Sequence, residues 1–185
     1  MPLICGIDPG LTGAIAAITM EGQLVSLQDT PVISVKKGKS TKNQYQPSQM
    51  FAILNVLWQC TEAKGTISYP PPTAVRIVAI ENVHAMPQGK SGSQAGFSLG
   101  YSLGLWTMGC TALKFPLEMV EPAVWKRAMG CKGADKGLSR QIALRLFPGA
   151  AGQLARGKDE GRAEALLIAE FLRRKLTGQT FPALK

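Results

Sequence analysis

"GIDPGLTGAIAAIT", residues 6 to 19, decides the fold. An apolar run closes on one carboxylate, Asp8, then Pro9, Gly10, Thr12 and Gly13 make a tight turn, and a second apolar run begins at Ala14. Such a stretch reads as strand, turn, strand, with the acid at the strand end. Three roles fit the acid and its turn: a metal ligand, a glycine loop that cradles a nucleotide phosphate, or plain connection.

Working outward, strands are expected at 3–8, 14–20 and 23–28, a three-strand meander. The Lys-rich "VKKGKSTKNQYQP" is too polar for a core and is expected to be a loop. From Pro47, Met50, Ile53, Leu54, Leu57 and Trp58 recur at helical spacing, and "YPPP" ends that region. "VRIVAIE" at 75–81 reads as a fourth strand buried on both faces. A Ser/Gly-rich loop at 87–94 precedes a long helix read as buried, "FPLEMVE" at 115–121 reads as a fifth strand, and helices follow at about 122–130, 138–147 and 161–176. An antiparallel meander extended by helix-connected parallel strands makes an α/β fold, a five-stranded mixed sheet flanked by helices.

The 185 residues suit a single domain spanning 1–185. The formal net charge is +9, and residues 126–185 carry 13 Lys and Arg against 5 Asp and Glu. A basic block of that kind points to a polyanion partner such as nucleic acid. Cys5, Cys60, Cys110 and Cys131 are scattered with no C-x-x-C pair, which suits reduced thiols in a cytoplasmic protein. The start has no signal-peptide pattern, and the most apolar stretch, 97–113, is interrupted by Ser, Thr and Gly, so no membrane span is expected. With His84 the one histidine, multi-histidine metal sites are excluded, and chemistry falls to carboxylates.

Asp8 closes the first strand and Glu81 the fourth. If those strands are neighbours, both acids emerge at one sheet edge. On the last helix Glu164, Leu167, Ile168, Phe171 and Leu172 share one stripe, so Glu164 begins the buried face. An unpaired carboxylate there would cost several kcal/mol, roughly, unless neutralised or coordinated. Asp159 and Glu160 lie just ahead of it. Three or four converging carboxylates without histidine suit two magnesium ions, hard cations that take oxygen ligands.

Four blocks then carry a resemblance: "GIDPGLTGAIA", "VAIENVHAMP" followed by "GFSLGYSLG", "VWKRAMGCKGADK" and "KDEGRAEALLIAEF". In order and spacing they resemble the RuvC-type Holliday junction resolvases, especially the phage-like branch. The resemblance implies a ribonuclease-H-like fold, a homodimer, and cleavage of four-way DNA junctions by paired symmetric nicks with magnesium, manganese substituting. Asp8, Glu81 and Glu164 match the family's catalytic acids. The remaining ligand is expected three residues before the last acid, where this chain has Gly161, so Asp159 is the first choice and Glu160 the second. Lys126 and Lys136 match junction-binding lysines, and Lys132, Arg140, Lys90 and His84 are further candidate DNA contacts. His84 stands near the place of an aromatic residue that enters the junction centre in bacterial members.

"GKS" at 38–40 and 89–91 lacks the P-loop glycine, since Ile33 and His84 stand there. Both are read as basic loops. Two rivals stay open: an actin-like or sugar-kinase-like ATPase, whose first phosphate loop "GIDPGLTG" also resembles, and a junction-binding protein without catalysis. Gly96, Gly100 and Gly104 align on one helix face. They serve either close packing on the chain's own sheet or a dimer interface, and paired nicking favours the dimer.

Overall fold

The computed structural model describes residues 2–38, 40–59, 75–83, 93–131 and 137–181. Strands β1 (Leu3–Asp8), β2 (Ala14–Thr19) and β3 (Leu24–Asp29) form the expected meander. After them come β4 (Val32–Lys37), β5 (Ser40–Tyr45), α1 (Pro47–Gln59), β6 (Val75–Glu81), α2 (Ser93–Ala112), β7 (Leu117–Val120), α3 (Pro122–Ala128), α4 (Leu138–Leu146) and α5 (Glu160–Thr177). The main sheet has the order β3-β2-β1-β6-β7, with β1 antiparallel to β2 and parallel to β6, and β6 parallel to β7. This is the five-stranded mixed sheet expected from the sequence.

One segment differs from expectation. The Lys-rich stretch is a β-hairpin, β4 paired with β5 from Val32↔Tyr45 to Lys37↔Ser40, separate from the main sheet. Ile33, Val35 and Lys36 of β4 and Ser40 to Gln44 of β5 are exposed. With so little of either face buried, no alternation of polar and apolar residues announces the strands.

Side chains of β1 alternate between two cores. Leu3, Cys5 and Ile7 face α1 and α2, in a cluster with Leu54, Trp106 and Cys110. Ile4 faces the other way, with Trp125, Leu166 and Ile168 beneath α3, α4 and α5. Two-residue periodicity puts Gly6 and Asp8 on that second face with Ile4. There α5 comes to backbone distance: a Cβ at Gly6 would stand 2.3 Å from the Ala165 carbonyl oxygen and 2.4 Å from the Ala169 nitrogen. Gly6, Ala165 and Ala169 are small because the helix lies directly on the strand.

The long helix α2 also departs from its reading as buried. Ser102, Trp106 and Cys110 are buried, whereas Phe97, Tyr101 and Met108 are exposed, Phe97 by 76%. Cys5, Cys110 and Cys131 are buried and free of disulfides, and Cys60 lies outside the described residues. Among the described residues no helix is long and apolar enough to cross a membrane.

Replacing Gly6 by Ala forces a methyl into the α5 backbone, and neither element can yield without disturbing the other. Overpacking of this kind costs about 1–3 kcal/mol. Gly6→Ala is expected to lower the thermal midpoint by several degrees in scanning calorimetry, whereas an unchanged midpoint would mean that α5 is not seated on β1 at this distance.

Candidate functional site

The parallel register pairs Ile7 with Ile80, so the next positions, Asp8 and Glu81, stand side by side where β1 and β6 end. Both lie on the face covered by α5, which brings Glu164 over them. Asp8 is held by its own turn: its Oδ1 accepts a hydrogen bond from the Gly10 N–H at 3.0 Å, and Gly13 N–H closes on the Gly10 carbonyl at 3.0 Å. The phenol of Tyr45 donates to the Pro9 carbonyl at 3.4 Å, bracing the turn from the α2 side.

Helix α3 supplies partners for two of the acids. Trp125 is fully buried and its Nε1 donates to Glu81 Oε1 at 3.1 Å. Lys126, next in the chain, places Nζ 2.8 Å from Glu164 Oε1, and Ser139 Oγ donates to that same oxygen at 3.3 Å. Sequence reasoning did not pick out Trp125 or Ser139. Trp125 stands between Val124 and Lys126 and Ser139 between Leu138 and Arg140 on short helices, and an indole N–H or a hydroxyl aimed at an acid leaves no periodic signal.

The electrostatics follow from the crowding. Burial, above all, with the charges of Glu164 and Glu81, pushes the Asp8 carboxyl up to about 7, against the lowering effect of the Gly10 N–H. Burial and the charge of Glu164 also raise Glu81, opposed by Lys126 and the Trp125 N–H. Lys126 is raised by Glu164, Glu81 and Asp8 against its own desolvation. Three acids thus share one ammonium, and the surplus negative charge and all-oxygen donor set suit a hard divalent cation. As the side chains stand, no group of three or more His, Cys, Asp or Glu among the described residues is drawn together closely enough to hold an ion. Glu164 is instead engaged by Lys126.

The two candidates for a further ligand part company. Asp159 is 3% exposed and bound by Arg156: Oδ1 accepts from Nη2 at 2.7 Å and Oδ2 from the Arg156 backbone N–H at 2.8 Å. That pairing lowers its pKa. The carboxylate closes the turn ahead of α5 and lines a cleft with Thr12, Gly13 and Asp29, apart from the three acids. Glu160 opens α5 four residues before Glu164, on the same side of the helix. Both Glu164 and Glu160 add to the burial that pushes the Cys131 thiol up to about 11, which places them on one flank.

Gly161, where the resemblance expects an acid, admits no side chain. A Cβ there would stand 2.1 Å from the Thr12 carbonyl oxygen and 2.9 Å from the Gly13 Cα. The first turn of α5 rests on the β1–β2 turn itself. Of the candidate DNA contacts, Lys126 lies at the acids and Arg140 is on α4, its guanidinium 3.5 Å from the Cβ position of Gly137. Lys132, Lys136, Lys90 and His84 lie outside the described residues.

Comparison with known proteins bears on this architecture. The structure aligns with T. thermophilus RuvC in complex with a Holliday junction substrate at a TM-score of 0.60 and 18% identity, covering 99% of this chain and 100% of that one. The chain shares the RuvC fold. A second Thermus thermophilus RuvC structure aligns at a TM-score of 0.51 and 18% identity, over 98% and 99% of the two chains. The sheet with its helices is thus ribonuclease-H-like, as the sequence resemblance implied. In sequence, the chain is 29% identical over 150 residues to the chloroplastic Holliday junction resolvase MOC1 of Chlamydomonas reinhardtii. That match covers 80% of this chain and 17% of the relative's length. No family model matches the chain.

The raised Asp8 carboxyl has a consequence for stability. Its folded value of about 7 lies above the ordinary carboxylate value of 3.8, so between these values the folded chain holds a proton that the unfolded chain releases. Stability from this group is full below pH 4 and is lost as pH rises through 7, at up to about 1.4 kcal/mol per unit. In chelator, Asp8→Asn is expected to melt above the parent at pH 8, the gap closing toward pH 4. A parent that melts higher than the variant at pH 8 would contradict the burial of this acid among like charges.

Proposed function

We propose that the chain is a magnesium-dependent endodeoxyribonuclease that resolves four-way DNA junctions by paired symmetric nicks. The observation that carries this reading is the juxtaposition of Asp8 and Glu81 at the ends of adjacent parallel strands beneath Glu164. The named relatives support it: MOC1 is called a Holliday junction resolvase, and the RuvC structure contains a Holliday junction substrate. One nuclease domain, 1–185, acts in the cytoplasm.

Asp8, Glu81 and Glu164 would hold the metal, with manganese able to replace magnesium and two ions the expected number. Glu160 becomes the favoured further ligand, because Asp159 is engaged by Arg156 and Gly161 has no room for a side chain. Bound there, the cations supply a water nucleophile at neutral pH and stabilise the leaving oxygen of the phosphodiester. The chain's own residues do the rest. Trp125 orients Glu81, Ser139 orients Glu164, and Lys126 balances their charge and reaches toward the backbone phosphate. The basic segments, Lys90, Lys132, Lys136, Arg140 and His84 among them, hold the arms of the junction. The exposed hairpin offers Lys36 and Lys42 as further phosphate contacts.

Two-fold symmetric nicking needs two active sites, and α2 supplies the face for a homodimer. Among the described residues nothing stands within 4 Å of the Cβ positions of Gly100 and Gly104, which favours a role for these glycines outside packing on the chain's own sheet. They align with exposed Phe97, Tyr101 and Met108, the first two stacked at 6.4 Å. An apolar stripe with glycines suits a second copy of the same helix across a two-fold axis.

Asp8→Asn, Glu81→Gln and Glu164→Gln are each expected to lower cleavage of a synthetic junction with magnesium by at least about a thousandfold, on the scale of lost electrostatic stabilisation. Binding in chelator should stay within a few-fold of the parent. Glu160→Gln should join them, while Asp159→Asn should chiefly lower the melting point. Near-parent cleavage by any of the first three removes that residue from the site.

Because no described residue stands within 4 Å of the Gly100 Cβ position, Gly100→Leu should fold normally and disrupt only association. Sedimentation is expected to show dimer for the parent and monomer for the variant, with loss of coordinated paired nicking. A parent that is monomeric both free and on a junction refutes the dimer.

A further inference from the structure

A cleft of about 220 Å³ opens on the other flank of the β1–β2 turn, lined by Leu11 to Gly13, Thr30, Asn43 and the 3-10 turn that carries Arg156 and Lys158. It shares no acid with the cluster of Asp8, Glu81 and Glu164. In its wall Thr30 is 2% exposed, and its Oγ1 has no hydrogen-bond partner among the described residues. The Thr30 backbone N–H is used, donating to the Gly13 carbonyl at 2.9 Å, which pins the residue against the turn. A buried hydroxyl left over in this way is free to meet a ligand in the cleft.

The charges around the cleft specify that partner. Two acids line it, and both are already matched: the Asp29 oxygens accept from Arg162, Oδ2 at 2.7 Å from Nη2, and the Asp159 oxygens accept from Arg156. Among the described residues none forms an ion pair with Lys158. Arg140 stands beside the cleft, outside its lining, with a guanidinium nitrogen 3.8 Å from the Cβ position of Gly157. The Asn43 Oδ1 accepts from Ser34 Oγ at 2.8 Å, leaving its amide N–H groups as donors. Hydroxyl, amide and ammonium donors, with the local acids already neutralised, form a site for a phosphate oxygen.

We propose that this cleft binds a backbone phosphate of the cleaved DNA strand, a neighbour of the scissile one. The inference rests on the nuclease reading above. Continuity supports it: Asp8 begins the turn whose far end, Thr12 and Gly13, walls the cleft, so the acids and the cleft share one turn. The subsite fixes the register of the strand over the acids and does not read bases.

The test is a methylphosphonate scan, which neutralises one phosphate at a time near the crossover of a synthetic junction, with affinity measured in chelator. The parent is expected to lose about fivefold at one position next to the cleavage point. Thr30→Val and Lys158→Ala should each bind the unmodified junction several-fold more weakly and lose nothing more at that position, and Lys158→Ala should lower the salt slope by about one unit. Thr30→Val should melt at or above the parent temperature, since the hydroxyl has no protein partner. Losses that multiply at every position overturn the subsite while leaving the nuclease reading intact. So does a Thr30→Val chain that melts lower yet binds the junction normally, or an inorganic phosphate or ATP effect on melting with no coupled position in the scan. A parent that binds no junction overturns the nuclease reading and the subsite with it.

Discussion

The seating of α5 on β1 at backbone distance governs the rest of this structure. Gly6 admits the helix over the strand, Gly161 admits its first turn over Thr12 and Gly13, and between these two contacts the helix axis has little freedom. Glu164 lies within the span they define. Its position over the ends of β1 and β6 is therefore set by backbone contacts, which are stiffer than any ion pair at the site. The same contact leaves no room for a side chain at position 161.

The acids themselves are held apart from their natural preference. Burial beside Glu81 and Glu164 raises Asp8 to about 7, and the ammonium of Lys126 balances only part of the surplus charge. Such an arrangement stores instability at the place where chemistry is proposed, a pattern expected of active sites and offset by the two apolar cores on either side of the sheet. Trp125 and Lys126, consecutive on α3, each hold one acid. A single short helix thereby ties the strand end of β6 to the first turns of α5.

Much of this was legible in the sequence where burial imposes a period. The meander, the buried strand ending at Glu81 and the stripe that begins at Glu164 all show apolar residues at regular spacing, and an acid at the end of such a run stands out. The β4–β5 hairpin was not legible, because a ribbon exposed on most of both faces needs no alternation. Asp159 read as a ligand because it precedes Glu164 at a turn, but Arg156, three residues earlier, takes both of its oxygens. Proximity in sequence shows that two acids are near, not which one is already paired. The glycines of α2 looked equally suited to internal and external packing. Among the described residues nothing stands within 4 Å of the Cβ positions of Gly100 and Gly104, an observation that spacing alone does not contain.

The most direct measurement maps the cuts on a four-way junction whose strands are labelled one at a time, incubated with the parent chain and magnesium. The account predicts paired cuts at matching positions on two opposing strands beside the crossover, none in chelator, and products that a ligase can seal. Failure to cut the junction with magnesium or manganese, or cuts on one strand alone with no symmetric partner, would contradict it.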